Sequence, residues 1–168
     1  MSRALTRLKS VFVTLHKTST DTVPHRKFWN NFFSPMQPEN ATTLAHNSDG
    51  EFEFQLQIGS KLFPEYPIRS HNEAYYQLCK SLGVQASALH NFDISSREYR
   101  STKFILGTDC EKVLDAGFTG LNTRAGDLMT VKFDYRKADP TRNADRIHIV
   151  LHSDQILEIR DSGCQVYD

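Results

Sequence analysis

One stretch of strict alternation constrains the fold of this chain more than any other feature of its sequence. Between Gly50 and Gly59, apolar residues at positions 52, 54, 56 and 58 alternate with polar residues at positions 51, 53, 55 and 57. Because successive side chains of a β-strand point to opposite faces, this pattern is typical of a half-buried strand. The sequence therefore predicts a strand over residues 52–58 with its apolar face directed into a core.

Further strands are predicted on both sides of this one. At residues 9–16, Val11, Val13 and Leu15 share one face. The other predicted strands are residues 103–106, 128–135, 146–152, 155–160 and 164–167. Residues 146–152 include a continuous apolar stretch, which predicts burial of that strand on both faces.

Capping patterns predict one helix and one short turn between the strands. Ser70 and Glu73 have the spacing of a capping box, and apolar residues recur at helical spacing from position 74 to position 82. Gly83 then supplies a left-handed residue that ends the helix, which we expect to run for about three turns. Ser95 and Glu98 repeat the capping pattern, but only a short turn is predicted there.

These elements predict a mainly β protein. About seven or eight strands with one helix in a connection are typical of an antiparallel two-sheet jelly-roll sandwich. The length of 168 residues suits one well-buried domain, so we expect a single jelly-roll domain over residues 1–168.

A long connection at residues 17–49 is rich in proline and aromatic residues. Phe28, Trp29, Phe32 and Phe33 lie close together within it. Connections of this length are uncommon and usually have a function. A monomer rarely exposes so many clustered aromatic side chains, so these four residues are predicted to form a subunit interface.

Composition excludes several classes of partner and site. The chain has 20 basic and 20 acidic residues, so contact with nucleic acid is not implied, whereas its zero formal charge favours association. No apolar run reaches the roughly 18–20 residues of a membrane helix, and the N-terminus lacks the apolar core of a signal peptide. Three widely spaced cysteines do not form a disulfide framework or a CxxC site. We therefore expect an intracellular, non-secreted protein that contacts no membrane.

No group of residues in the sequence has the pattern of a catalytic, cofactor-binding or metal site. On a strand, His148 and His152 would lie roughly 13 Å apart, too far to share a metal ion, so a structural role is predicted for both. The glycines between Gly117 and Gly126 fit turns better than a phosphate-binding loop. Cys79 is expected in the core, and neither it nor Cys110 has a histidine base placed beside it by the sequence. The chain is therefore not expected to be an enzyme or to bind a cofactor.

Four segments in order along the chain resemble the C-terminal jelly roll of major capsid proteins from the Polinton-like and adintovirus group. They are residues 8–15 (LKSVFVTL), 54–68 (FQLQIGSKLFPEYPI), 72–78 (NEAYYQL) and 149–163 (IVLHSDQILEIRDSG). The resemblance implies a virion protein that packs against copies of itself or other capsid proteins, usually in trimeric capsomers. Such proteins usually have two jelly rolls, whereas 168 residues hold one, which implies a C-terminal part or a shortened relative.

Two other functions are compatible with the same residues. The first is a monomeric jelly-roll module that binds a carbohydrate or a peptide, with the aromatic residues 28–33 as its platform. The second is a metal-dependent jelly-roll enzyme. Self-association distinguishes the capsid-like function from the binding module, and metal analysis tests the enzyme.

Overall fold

Eight strands and two helices follow one another in the part of the chain that the computed structural model describes. That part comprises residues 5, 7–16, 32, 34, 51–83, 94–111, 120–123, 128–136, 144, 146–160 and 163–167. The strands are β1 (Leu8–His16), β2 (Glu51–Ile58), β3 (Lys61–Ile68), β4 (Leu106–Asp109), β5 (Met129–Arg136), β6 (Arg146–Ser153), β7 (Ile156–Arg160) and β8 (Gly163–Tyr167). The helices are α1 (His71–Ser81) and α2 (Ser96–Ser101).

Two three-stranded antiparallel sheets form the body of the molecule, with strand orders β4-β1-β6 and β3-β2-β5. Except between β2 and β3, the chain changes sheet at each step from β1 to β6. The buried side chains of β1 and β2 belong to a single core between the sheets. This architecture confirms the predicted mainly β fold with antiparallel sheets packed as a two-sheet sandwich.

The alternation in β2 has the predicted structural consequence. Phe52, Phe54, Leu56 and Ile58 are all buried. Phe54 pairs with Phe133 of β5, and their rings lie 6.4 Å apart. Because the side chains between these positions point to the other face, β2 is the amphipathic inner strand that the sequence predicts.

β3 is a strand that the sequence analysis did not predict. Pro64 and Pro67 interrupt its pattern, but β3 lies at the edge of its sheet, where a missing backbone N–H is tolerated. The register between β2 and β3 shifts next to Gln55, whose amide donates to the carbonyl oxygens of Pro64 and Glu65 at 3.1 Å each. The Gln55 side chain therefore satisfies two carbonyl groups where the register shifts.

α1 begins where its cap predicts. The Ser70 hydroxyl accepts from the Glu73 amide at 3.2 Å, and Gly83 has a φ of 68°, as expected for a left-handed residue after the helix. The Glu73 carboxylate accepts from the amide of Arg69 at 3.0 Å, one residue before the amide that a full capping box would use. The first turn of α1 is thus stabilised by a modified form of the predicted box.

The second capping pattern forms in full and starts a helix instead of a turn. The Ser95 hydroxyl accepts from the Glu98 amide at 3.3 Å, and the Glu98 carboxylate accepts from the Ser95 amide at 3.2 Å. α2 extends for six residues after this cap.

β4 begins later than predicted because another segment takes the preceding backbone groups. The expected strand at residues 103–106 is replaced by a contact in which the Phe104 amide donates to the Phe32 carbonyl at 2.8 Å. β4 then pairs with β1 under α1. A Cβ on Gly107 would lie 3.0 Å from the Leu78 Cα, so the glycine permits this close approach of helix and strand.

The prediction that residues 146–152 are buried on both faces is wrong. In β6, Ile149 and Leu151 pack against the core, whereas Ile147 and Val150 are exposed. Val150 is exposed because β6 belongs to an antiparallel sheet that faces the core with one side only. Ile147 shares the inner side with Ile149 and Leu151 but lies near the start of the strand, where it is half exposed.

Candidate assembly surface

The last two strands form a hairpin sheet that is separate from the two sheets of the sandwich. In its register Leu157 pairs with Val166, and Ile159 pairs with Cys164. Directly paired residues project to the same side of an antiparallel sheet, so these four side chains share one face. We call this set the hairpin face.

The hairpin face is exposed in the part of the chain that the structure describes. The exposed fraction is 73% for Ile159, 56% for Leu157 and 58% for Val166, and Cys164 is also exposed. A two-stranded hairpin is marginally stable in water by itself and needs packing against another element. The hairpin face therefore has the apolar side chains of a buried strand, but these side chains are exposed to solvent.

The opposite face of the hairpin is suited to water. Arg160 Nε lies 2.7 Å from Glu158 Oε1, and this hydrogen bond lowers the pKa of the Glu158 carboxyl. The Tyr167 hydroxyl donates to Gln165 Oε1 at 3.0 Å. This face also carries Ile156 and Tyr167, which are less exposed than the apolar members of the hairpin face, so the hairpin is amphipathic with its most exposed apolar side chains on the hairpin face.

The base of the hairpin is fastened to the sandwich through Asp154. The Asp154 carboxylate lies 2.8 Å from Lys9 Nζ, and the Asp154 amide donates to the Arg7 carbonyl at 3.2 Å. Lys9 also pairs with Glu111 at 3.4 Å, and the hydrogen bond that Lys9 donates to the Asp154 carboxylate raises the pKa of the lysine. The hairpin therefore leaves the body next to β1 at a defined point.

Exposed apolar side chains are concentrated at this end of the chain. Of the twelve large hydrophobic residues exposed in the described part, seven lie between Ile147 and Tyr167. Two of the seven are in β6 and five are in the hairpin. Three of the five belong to the hairpin face, and Ile156 and Tyr167 lie on the opposite face, so the hairpin face is the largest group of exposed apolar side chains on one side of an element in the described residues.

Of the four aromatic residues predicted as an interface, the structure describes one. Phe28, Trp29 and Phe33 lie outside the described residues. The Phe32 amide donates to the Thr102 carbonyl at 3.1 Å, and the half-buried Phe32 ring meets the edge of the His16 ring at 5.3 Å between centroids. Phe32 therefore contacts the body of its own chain, and the interface at these four residues stays a prediction.

A histidine pair occupies the outer face of the β1–β6 sheet. The rings of His16 and His148 lie 4.5 Å apart, and partial burial followed by the proximity of His148 lowers the pKa of His16. His148 and His152 are both exposed on β6, a strand as predicted. Among the described residues, no three His, Cys, Asp or Glu side chains are grouped so that they could hold a metal ion.

His71 is a buried titratable residue at the start of α1. Its Nε2 lies 2.7 Å from the Ser34 hydroxyl, and its ring packs edge-on against Phe52 and Phe104 at 5.5 Å from each. Burial, with a smaller effect of the Arg100 charge, lowers the pKa of His71 to about 4. The neutral ring thus serves as a polar part of the core and fastens Ser34 to the helix.

The cysteines and the glycine loop show no nucleophile or phosphate site in the described residues. Cys79 is half-buried on α1, and burial raises the pKa of Cys110 to about 12, which keeps its thiol protonated. Gly117 and Gly126 lie outside the described residues. A Cβ on Gly120 would lie 2.8 Å from the Arg7 Cα, so this glycine serves a close approach of two backbones.

No known protein family, curated protein or solved structure shows significant similarity to this chain. Within the described residues, no helix is long and apolar enough to cross a membrane. What the chain does must therefore be inferred from its surfaces, and the hairpin face is the most distinctive of these.

Proposed function

We propose that this chain is a structural protein that works by self-association, as a capsid-like shell component in a virion or its host cell, and has no catalytic activity. The observation that carries the proposal is the exposed hairpin face formed by Leu157, Ile159, Cys164 and Val166. The resemblance of four sequence segments to Polinton-like and adintovirus major capsid proteins supports the same function, since the jelly rolls of those proteins pack against copies of themselves.

The physical basis of association is the removal of apolar surface from water. Each Å² of apolar surface buried contributes roughly 25 cal/mol, although association first has to overcome the loss of translational and rotational freedom. The formal charge of the chain is zero, so no long-range repulsion between copies opposes the contact. A covered hairpin face would also stabilise the hairpin, whose two strands are otherwise marginal.

Light scattering coupled to size-exclusion chromatography tests the proposal. We expect the mass of the wild-type chain to rise above 19.2 kDa as concentration increases. The double variant Leu157→Ser with Val166→Ser should stay monomeric, because it replaces half of the hairpin face with hydroxyl groups. Gln165→Ser, on the polar face of the same hairpin, is the matched control and should associate like the wild type.

Two outcomes would contradict self-association through this surface. If the wild-type chain is monomeric at every concentration, the proposal fails and a monomeric binding module for a carbohydrate or peptide becomes the better description. If the double variant associates as strongly as the wild type, the chain assembles through another surface.

A further inference from the structure

We infer that the partner of the hairpin face is the same face of a second copy, related to the first by a two-fold axis. This inference rests on the proposed self-association and names the surface that each copy contributes. In such a contact each residue meets itself or its close neighbours across the axis, so the surface must be compatible with itself.

The side-chain chemistry of the hairpin face meets this requirement. Leu157, Ile159, Cys164 and Val166 include no charged group. Pairing the face with its own copy therefore brings no like charges together, and all four side chains gain an apolar neighbour. The opposite face carries the exposed Glu158–Arg160 ion pair, and burying it against a second copy would take both charges out of water.

The chain itself does not fill the role of the partner in its described part. Ile159 is 73% exposed even though Asp154 holds the base of the hairpin against β1. A second hairpin, by contrast, offers an apolar surface of equal length and width. Two sheets stacked about 10 Å apart would enclose the side chains of both hairpin faces in a small second core.

The size of the surface predicts a weak dimer. A standard interface buries about 800 Å² on each partner. Strands of five residues provide less than this. We therefore expect a dissociation constant on the order of micromolar, with the monomer dominant in dilute solution.

Opposite charges at one position test the symmetry of the contact. Ile159→Lys and Ile159→Asp should each be monomeric, because a two-fold contact would bring two like charges together in an apolar surface. An equimolar mixture should form a mixed dimer, bound at least about tenfold more tightly than either variant binds itself. Light scattering of the three samples measures this difference.

The outcomes separate this inference from the proposed function. If the wild type associates but the mixture stays monomeric, or if either variant alone associates like the wild type, the two-fold contact is wrong while self-association stands. If the wild type is monomeric at every concentration, the proposed function fails together with the inference.

Cys164 allows a second test on the unmodified chain. A short bismaleimide should link Cys164 to its copy, giving a covalent dimer at concentrations where light scattering shows association. Cys164→Ser is the control and should give no such dimer, since Cys110 is buried and Cys79 is half-buried on α1. Absence of the cross-linked wild-type dimer under these conditions would overturn the two-fold contact.

Discussion

β2 and the β7–β8 hairpin are built from the same kind of amphipathic strand and differ in what covers the apolar face. The apolar side chains of β2 are at most 3% exposed, whereas Leu157, Ile159 and Val166 of the hairpin face are each more than half exposed. β2 lies between two other strands and faces the second sheet, while β7 and β8 pair only with each other among the described strands. Alternation in a sequence therefore specifies an amphipathic strand. The topology decides whether another element of the same chain packs against its apolar face.

The two regions also differ in how their polar faces are stabilised. In the sandwich, Gln55 on the polar face of β2 donates to backbone carbonyl groups of β3, so this face helps to hold the two strands together. In the hairpin, the Glu158–Arg160 and Tyr167–Gln165 interactions are local and exposed. Changes in the sandwich should therefore alter stability, and changes in the hairpin should alter association.

The largest expected effect is in the core. Phe54→Ala should lower the free energy of unfolding by about 3–5 kcal/mol, because it removes a fully buried ring from between the sheets. Ile159→Ala is the matched variant from the hairpin and should change the stability of the dilute monomer by less than about 0.5 kcal/mol. Urea denaturation measures the free energy of unfolding of both variants. Equal decreases would contradict the different roles assigned to the core and the hairpin face.

Acid should weaken the sandwich through His71. The pKa of His71 in the folded chain is about 4, below the usual 6.5, so the unfolded chain binds the proton more readily. Above about pH 6.5 the free energy of unfolding is not reduced by His71, and it falls by up to about 3 kcal/mol as the pH drops towards 4. Urea denaturation across this range should show the loss.

Two observations would qualify the pH prediction. His71→Gln should flatten the pH dependence, because it removes the buried titratable ring; an unchanged slope would assign the effect to other groups. Dimerisation through the uncharged hairpin face should change much less than stability between pH 6.5 and 5, and a parallel loss of both would show that association depends on the sandwich.

The predicted aromatic interface can be compared with the hairpin face by one double variant. Trp29→Ser with Phe32→Ser should weaken association about tenfold, as the loss of aromatic anchors does at many interfaces. It should leave the chain folded, with some loss of stability because Phe32 packs against His16. Light scattering decides, and unchanged association would leave the hairpin face as the better supported surface.

The smallest expected effect concerns the cap of α1. Ser70→Ala should lower the free energy of unfolding by roughly 1 kcal/mol, because the Glu73 amide loses its hydrogen-bond partner. Ser60→Ala, in the exposed turn between β2 and β3, is a control that should be nearly neutral. Thermal denaturation compares the two variants, and association should be the same in both.

Features determined by local pattern were predictable from the sequence. β1, β2 and β5 lie within about one residue of their predicted limits, since their alternation depends on nearby residues alone. β3 was missed because Pro64 and Pro67 are tolerated only at a sheet edge, which the pattern does not reveal. β4 was shifted because the Phe104 amide binds Phe32, a residue distant in sequence.

The hairpin face was harder to predict than the strands that form it. Both strands were expected, but grouping Leu157 and Ile159 with Cys164 and Val166 requires the register across the turn. Part of the signal was present in the sequence, since Asp161, Ser162 and Gly163 between the two predicted strands are residues typical of a turn. Their exposure, however, depends on which other parts of the chain pack against them, and local sequence does not show this. The burial of β6 on both faces was wrongly predicted for the same reason.

The attachment of the hairpin at Asp154 has a mechanical consequence. A force that pulls on the hairpin of an assembled copy would pass along the backbone into β6, and the Lys9–Asp154 ion pair and the Asp154–Arg7 hydrogen bond would carry part of it to β1. β1 is the central strand of its sheet and is hydrogen-bonded to β4 on one side and to β6 on the other. Such a load would be distributed over two ladders of hydrogen bonds, so a shell joined through hairpins would transmit stress into the central strand of one sheet of each subunit.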